Sequence, residues 1–336
     1  MAPKHKIAIS TISMGWHDAH TLDSKLEAIS KHGYDGTELF WTDLEKDAHA
    51  RNLTIEDNAH RVRFKCDDLG IGICSLSSFD NYEGNQTVPL ATRLGKAHRW
   101  VAVARILGSP IVQIPANDDL TSLAASADQC VDELRLLADV GRSGATDEAS
   151  VVWAYEPMAW SARDDTWQAA LHTVRRVARP NFKLCLDTYH IVARLWADCT
   201  TPSGRIPGGQ QRLETSMHEL SRTIRPEEIG FVQLSDGEKM EPPVTMQELH
   251  AVGKHYSHYW CTWGRLFPFE EEHGAYFAMQ EACRSMLRDV GWTGWVSMEI
   301  FHRTMKDEAP RPDEWAGRGM VSWEKVRKCI AMQSKL

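Results

Sequence analysis

Short apolar runs alternate with amphipathic segments along the whole chain. Apolar runs lie at Lys6 to Ser13 and Tyr34 to Phe40 near the start and at Gly294 to Ile300 near the end. Between such runs, apolar residues recur at the three- and four-residue spacing of a helix, as in Ile55 to Leu69. Eight alternations of this kind, with no linker-like break and no GxGxxG after the first run, predict an α/β protein. We expect one (β/α)8 TIM barrel domain over residues 1–336.

Four of the later strands deliver an oxygen-bearing side chain at or near their carboxyl ends. These side chains are Glu156, Asp187, Gln233 and Glu299. In a barrel the carboxyl ends of all strands meet at one mouth, so we expect the four to face one another. Three carboxylates in a partly desolvated mouth repel unless they take up protons, pair with bases or bind a cation. The set predicts one divalent ion, with Mn, Mg or Co favoured by hard oxygen ligands. For any single carboxylate, a helix N-cap is the alternative.

Four further residues are candidates for contacts with a substrate. His190 lies three residues after Asp187, at the start of the next predicted loop. It is a candidate general base, substrate hydrogen-bond partner or extra metal ligand. Arg265 lies in the long aromatic-rich connection after strand seven, where it is expected to clamp a substrate carboxylate; a loop salt bridge is the alternative. Glu38 and Gln113, near the ends of strands two and four, are weaker candidates.

Charge and cysteine usage narrow the class of protein. The chain has 38 basic and 46 acidic residues and no long basic run, which argues against a nucleic-acid partner. No apolar stretch approaches the roughly 20 residues needed to span a bilayer, and we expect a cytoplasmic protein without a membrane partner. The eight cysteines are scattered and include no CxxC pair, so we expect reduced thiols in the core.

Several short motifs, taken together, resemble one known family over nearly the whole chain. They are Gly36-Thr37-Glu38-Leu39-Phe40, Gln113-Ile114-Pro115-Ala116-Asn117, Trp153-Ala154-Tyr155-Glu156, Leu184-Cys185-Leu186-Asp187-Thr188, Val232-Gln233, Arg265-Leu266-Phe267 and Gly294-Trp295-Val296-Ser297-Met298-Glu299. The chain resembles the xylose isomerase-like barrels, and within them the fungal 3-dehydroshikimate dehydratases of quinate catabolism. One departure is Cys261-Thr262-Trp263, where that family tends to have a Ser-Arg-Asn run.

The resemblance implies a metal-dependent lyase that dehydrates 3-dehydroshikimate to protocatechuate through an enolate. In the family, the residues matching Glu156, Asp187, Gln233 and Glu299 hold one divalent metal, in agreement with the strand-end argument. His190 would then act as base or acid, and Arg265 would bind the carboxylate of this small-molecule substrate.

Two other functions remain open at this point. A sugar or inositol isomerase or epimerase on the same barrel also needs a metal beside an enediolate, but its substrate lacks a carboxylate, so Arg265 would matter little. A barrel that binds or senses a ligand without catalysis is the second alternative.

Overall fold

Eight parallel strands close into a barrel in the computed structural model, which describes residues 4–144, 150–252 and 255–332. The barrel strands are β1 (Lys6–Ser10), β2 (Gly36–Phe40), β3 (Gly72–Ser77), β4 (Ile111–Pro115), β5 (Val152–Glu156), β6 (Phe182–Asp187), β7 (Ile229–Leu234) and β10 (Trp295–Met298). Each strand pairs with its neighbours in sequence, and β1 closes the ring on β10 with Lys6 opposite Trp295. The predicted (β/α)8 barrel is confirmed.

The helices surround this barrel and connect its strands. They are α1 (Leu22–Lys31), α2 (Trp41–Arg51), α3 (Ile55–Leu69), α4 (Leu90–Leu107), α5 (Ala127–Arg142), α6 (Trp167–Val177), α7 (Thr188–Leu195), α8 (Gly209–Thr223), α9 (Met246–Val252), α10 (Tyr256–Gly264), α11 (Met279–Arg284) and α12 (Pro312–Ala331). Helix α3 has the predicted bounds, because the Thr54 side chain accepts from the Asp57 N–H at its start and Gly70 ends it with φ of 69°.

Two separate apolar clusters hold the fold together. The larger lies between the strands and the surrounding helices, where the outward-facing residues of each strand meet the helix faces. The smaller consists of Ile111, Ala154, Cys185 and Phe231, on strands β4 to β7. These four alternate with outward-facing residues, so they fill the barrel interior below its mouth. The polar side chains at the mouth of the barrel therefore lie directly above packed apolar residues.

The long connection after β7 folds back across the mouth. It contains α9, α10 and two short antiparallel strands, β8 (Asp236–Gly237) and β9 (Arg265–Leu266), in which Gly237 pairs with Arg265. The backbone N–H of Arg265 also donates to the carbonyl of Phe301, just after β10. This pairing places Arg265 between the ends of β7 and β10. Residues 253–254 of this connection, and residues 145–149 before β5, lie outside the described residues.

All eight cysteines are buried free thiols, as expected from their scattered positions. Within the described ranges, no helix combines the length and the apolar character needed to cross a bilayer.

Candidate metal centre and active site

The four predicted strand-end residues all lie at the carboxyl-terminal end of the barrel. Glu156 and Asp187 are the last residues of β5 and β6, Gln233 is the residue before the end of β7, and Glu299 directly follows β10. Asp187 is in register with Gln233, and Gln233 with Ser297 two residues before Glu299. All four side chains are buried, the most exposed being Glu299 at 5%.

A histidine joins two of these carboxylates. The Nε2 atom of His190 lies 3.2 Å from Oε1 of Glu156 and 3.7 Å from Oδ2 of Asp187. The three residues have ligand atoms close enough together to hold one cation. Both Nε2 of His190 and Oε1 of Glu156 are buried without a hydrogen-bond partner in the part of the chain that the structure describes.

The prediction that His190 begins a loop is wrong, because the residue lies in the first turn of α7. Asp187 starts this helix: its Oδ1 accepts from the Tyr189 N–H at 2.8 Å, so the strand-end carboxylate is also an N-cap. The turn sets His190 beside Glu156, with Trp160 packed edge-on against the imidazole at 4.9 Å between ring centroids. Sequence periodicity did not find α7 because the helix is only eight residues long and six consecutive residues, Thr188 to Ala193, are buried, so no polar face alternates with an apolar one.

Hydrogen bonding assigns the tautomer of His190. Its Nδ1 accepts from the backbone N–H of Ala159 at 3.1 Å. Burial, which outweighs the attraction of Asp187 for the charged ring, lowers the pKa of His190 to about 3, so the ring is neutral. A neutral ring that accepts at Nδ1 carries its proton on Nε2. Since a protonated nitrogen has no lone pair for a metal, Nε2 of His190 is an available N–H donor and a poor metal ligand.

Arg265 is buried against two of the carboxylates. Its Nη2 donates to Oδ2 of Asp187 and lies 3.1 Å from Oε2 of Glu299. Ser235, which follows β7, accepts from the same guanidinium at 2.7 Å and donates to Oδ1 of Asp187. The guanidinium also lies over the rings of Tyr189 and Phe301. The proposal that Arg265 clamps a substrate carboxylate stays a prediction; in this structure its side chain is bound by protein carboxylates.

The centre holds more acidic groups than basic groups. Burial raises the pKa of Glu156 to about 7, and it raises the pKa values of Asp187 and Glu299 despite the opposing charge of Arg265. With Glu38, four buried carboxyl groups face one guanidinium and a neutral imidazole. Burying a charged carboxylate without a positive partner costs on the order of several kcal/mol. The residues present therefore fit a divalent cation, which would supply the missing positive charge.

Glu38 and Gln113 lie behind the strand-end residues. Oε1 of Glu38 accepts from Ser77 Oγ at 2.6 Å and from Nε2 of Gln233 at 2.9 Å. Nε2 of Gln113 donates to Oε2 of Glu156. Glu38 and Gln113 are 0% and 2% exposed, as buried as the four strand-end residues, and their contact with a substrate stays a prediction.

Aromatic side chains from several loops surround the centre. Trp160, in the loop after β5, stacks on His258 of α10 with ring centroids 4.6 Å apart. Nδ1 of His258 lies 3.8 Å from Oδ2 of Asp118, in the loop after β4. These contacts link the connections after β4, β5 and β7, and Phe301, after β10, packs against the guanidinium of Arg265.

Sequence reasoning missed three contributing residues. Ser77 ends β3 and supports Glu38, and Ser235 follows β7 and supports Asp187. His258 lies in the connection after β7, where no pattern marked it. The strand-end rule applied to hydroxyls as well as carboxylates would have found Ser77 and Ser235.

Comparison with known sequences identifies a family. A sequence model of the xylose isomerase-like TIM barrel family matches residues 26–325. A 3-dehydroshikimate dehydratase of Neurospora crassa is 35% identical over 337 aligned residues, covering 96% of this chain and 93% of that protein. A 3-dehydroshikimate dehydratase of Pseudomonas putida is 26% identical over 88% of this chain, and this chain spans 38% of that longer protein.

Solved structures show the same fold. A xylose isomerase-like TIM barrel/4-hydroxyphenylpyruvate dioxygenase fusion protein superposes with a TM-score of 0.75 and 25% identity, covering 97% of this chain and 43% of the fusion protein. The IOLI protein with a bound zinc atom superposes with a TM-score of 0.69 and 16% identity, covering 97% of this chain and all of that one.

Proposed function

Because this chain belongs to the xylose isomerase-like TIM barrel family, and within it to the 3-dehydroshikimate dehydratases, we propose that it is a hydro-lyase that converts 3-dehydroshikimate to protocatechuate. The observation that carries the proposal is the Neurospora crassa enzyme, which matches 96% of this chain at 35% identity. In the net reaction, one C–H bond and one C–O bond of the ring break, water leaves, and a final tautomerisation makes the ring aromatic.

Glu156, Asp187, Gln233 and Glu299 are the residues we assign to one divalent metal ion. The Oε1 atom of Glu156, which has no hydrogen-bond partner among the described residues, and the excess of buried carboxyl groups support this assignment. When bound, such an ion supplies Lewis-acid stabilisation of negative charge on substrate oxygen atoms. Hard oxygen donors favour Mn, Mg or Co, whereas zinc is bound in one protein of the same fold.

We assign His190 the role of an N–H donor that stabilises negative charge on the substrate or donates to its leaving hydroxyl group. Its Nε2–H points toward the space between Glu156 and Asp187, because Nδ1 is held by Ala159. A fixed N–H donor can stabilise an oxyanion or help a hydroxyl group leave, and it is available without any rearrangement. This geometry supports the donor role of His190 over the role of base.

A direct assay tests the proposal. The purified protein is stripped with a chelator, reloaded with Mn²⁺ or Mg²⁺, and incubated with 3-dehydroshikimate while the ultraviolet absorbance of a catechol acid is followed. We expect product only in the reloaded samples. A metal-loaded protein that releases no protocatechuate would show that the proposed function is wrong.

A sugar or inositol isomerase or epimerase is a second candidate, and the position of Arg265 favours it. Since the guanidinium binds Asp187 and Glu299, a substrate without a carboxylate would leave that arrangement undisturbed. For the same reason, loss of Arg265 would harm either enzyme and cannot separate the two functions. Offering ketohexoses and inosose to the same metal-loaded protein, and analysing the products by chromatography, does separate them.

A further inference from the structure

We propose that Glu38 and Gln113 are positioning residues that orient two metal-binding side chains from behind, and that neither contacts substrate. The inference rests on the metal site of the proposed function. It assigns a common role to the second and fourth strands: their polar side chains support ligands carried by the fifth and seventh strands.

Glu38 determines which end of the Gln233 amide is turned toward the site. A side-chain amide binds a cation through its oxygen and not through its NH₂ group. Nε2 of Gln233 donates to Glu38, and the amide oxygen accepts from Cys185 Sγ at 3.0 Å. The oxygen is therefore turned away from Glu38 and toward β6 at Cys185, two residues before Asp187.

The orientation holds in both protonation states of Glu38. Ser77 and Gln233 both donate to the same oxygen, Oε1, while Oε2 has no hydrogen-bond partner among the described residues. Oε1 is thus an acceptor whether or not a proton sits on Oε2. If the amide of Gln233 were reversed, its oxygen would face the acceptor oxygen of Glu38, which is unfavourable.

Gln113 acts in the same way on Glu156. Its Nε2 donates to Oε2 of Glu156 and so occupies one carboxylate oxygen. The other oxygen, Oε1, is the one that faces His190 and lacks a partner within the described ranges. Gln113 therefore fixes the rotation of the carboxylate and leaves a single oxygen for a cation.

The surroundings of the two residues separate this role from substrate binding. Gln113 is in register with Ala154, two residues below Glu156 on β5. Two strand residues span about 6 to 7 Å, so Glu156 stands between Gln113 and the mouth. Glu38 is fully buried, and its Oε1 already accepts from two protein side chains, Ser77 and Gln233.

The test measures metal affinity without substrate. Metal-free wild type, Glu38→Met, Glu38→Gln and Gln113→Leu are titrated calorimetrically with Mn²⁺. Loss of a residue that orients a ligand typically weakens metal binding by about 10- to 100-fold, and we expect losses in this range for Glu38→Met and Gln113→Leu. Glu38→Gln should bind Mn²⁺ more tightly than Glu38→Met, because its amide oxygen can still accept from Gln233. At saturating Mn²⁺, kcat should fall while KM stays near the wild-type value.

Glu133→Gln is the matched control. Glu133 is as buried as the test residues, at 5% exposed, but it binds Arg93 and the Gly84 N–H outside the barrel. Its loss should lower the melting temperature and leave Mn²⁺ affinity unchanged.

The possible results separate this inference from the proposed function. Unchanged Mn²⁺ affinity in Glu38→Met and Gln113→Leu, equal affinities of Glu38→Gln and Glu38→Met, or a raised KM at saturating metal, would overturn the positioning role. If Glu38→Met does not fold, Gln113→Leu still decides it. A wild type that binds Mn²⁺ but does not dehydrate 3-dehydroshikimate would refute the dehydratase and leave the positioning role standing, whereas a wild type that binds no divalent ion would overturn both.

Discussion

The backbone N–H of Ala159 donates to Nδ1 of His190 at 3.1 Å, and this contact decides which ring nitrogen carries the proton. Because Ala159 follows β5 and His190 follows β6, the relative position of two loops sets the tautomer. The proton on Nε2 then faces Glu156 and Asp187. Proximity alone would make His190 a third metal ligand beside these carboxylates, but its hydrogen bonding makes it a donor.

His190→Gln should therefore impair turnover more than metal binding. We expect kcat to fall by about 10²- to 10⁴-fold, the usual contribution of a positioned proton donor. Mn²⁺ affinity, measured by calorimetry on the metal-free protein, should change only slightly. A loss of affinity as large as that caused by removing Asp187 would mean that His190 is a ligand after all.

Substitutions at Asp187 separate its two roles. Asp187→Asn keeps an oxygen that can cap α7 through the Tyr189 N–H, whereas Asp187→Ala removes it. We expect both variants to lose bound metal and activity, and only Asp187→Ala to lose the cap, which costs about 1 kcal/mol. Metal content after gel filtration and urea unfolding in the presence of chelator measure the two effects. Full activity of either variant after chelation would refute the assigned metal site.

Arg265→Met should destabilise the metal-free protein strongly. Removing the guanidinium leaves Asp187 and Glu299 buried with no positive partner, which typically costs about 3 to 5 kcal/mol. Saturating Mn²⁺ should recover part of this loss, since a bound cation restores positive charge beside the carboxylates. Arg265→Lys should recover little, because one ammonium group cannot reproduce the planar contacts to Asp187, Glu299 and Ser235. Equal urea midpoints for wild type and Arg265→Met in chelator would contradict this role.

Glu228 should contribute stability that depends on pH and is unrelated to the metal. Burial alone would raise its pKa, but hydrogen bonds from Arg175 and Arg225 outweigh burial and lower it to about 2. A carboxyl whose pKa is lower in the folded state stabilises the protein above the unfolded value, near 4.5, and this contribution disappears as pH falls toward 2. Glu228→Gln should cost about 1 to 3 kcal/mol at pH 7, allowing for the exposure of both arginines.

The control for this prediction is the same comparison at low pH. Near pH 2.5 the difference in unfolding free energy between wild type and Glu228→Gln should be much smaller than at pH 7, as followed by urea denaturation. A difference that is as large at pH 2.5 as at pH 7 would show that the side chain acts through packing instead of charge.

The amino-acid sequence by itself determined the alternation of strands and helices and the positions where strands end on polar residues. Helix α3 shows why: Thr54 at its start, Gly70 at its end and the spacing between them are all local signals. Glu156 and Asp187 were found in the same way, since an apolar run that stops at a carboxylate is visible within about ten residues of chain.

Only the tertiary structure decided how those side chains pair. Arg265 contacts a carboxylate 78 positions away, and Gln233 contacts Glu38 at a separation of 195 positions. Such contacts depend on barrel closure and strand register, which no local pattern specifies. The proton on His190 is a further case, since it follows from one hydrogen bond between two loops. Residue type and spacing thus predicted oxygen atoms at the mouth. The closed barrel decided which of these oxygens accept hydrogen bonds, which lack a partner among the described residues and which face a charged group.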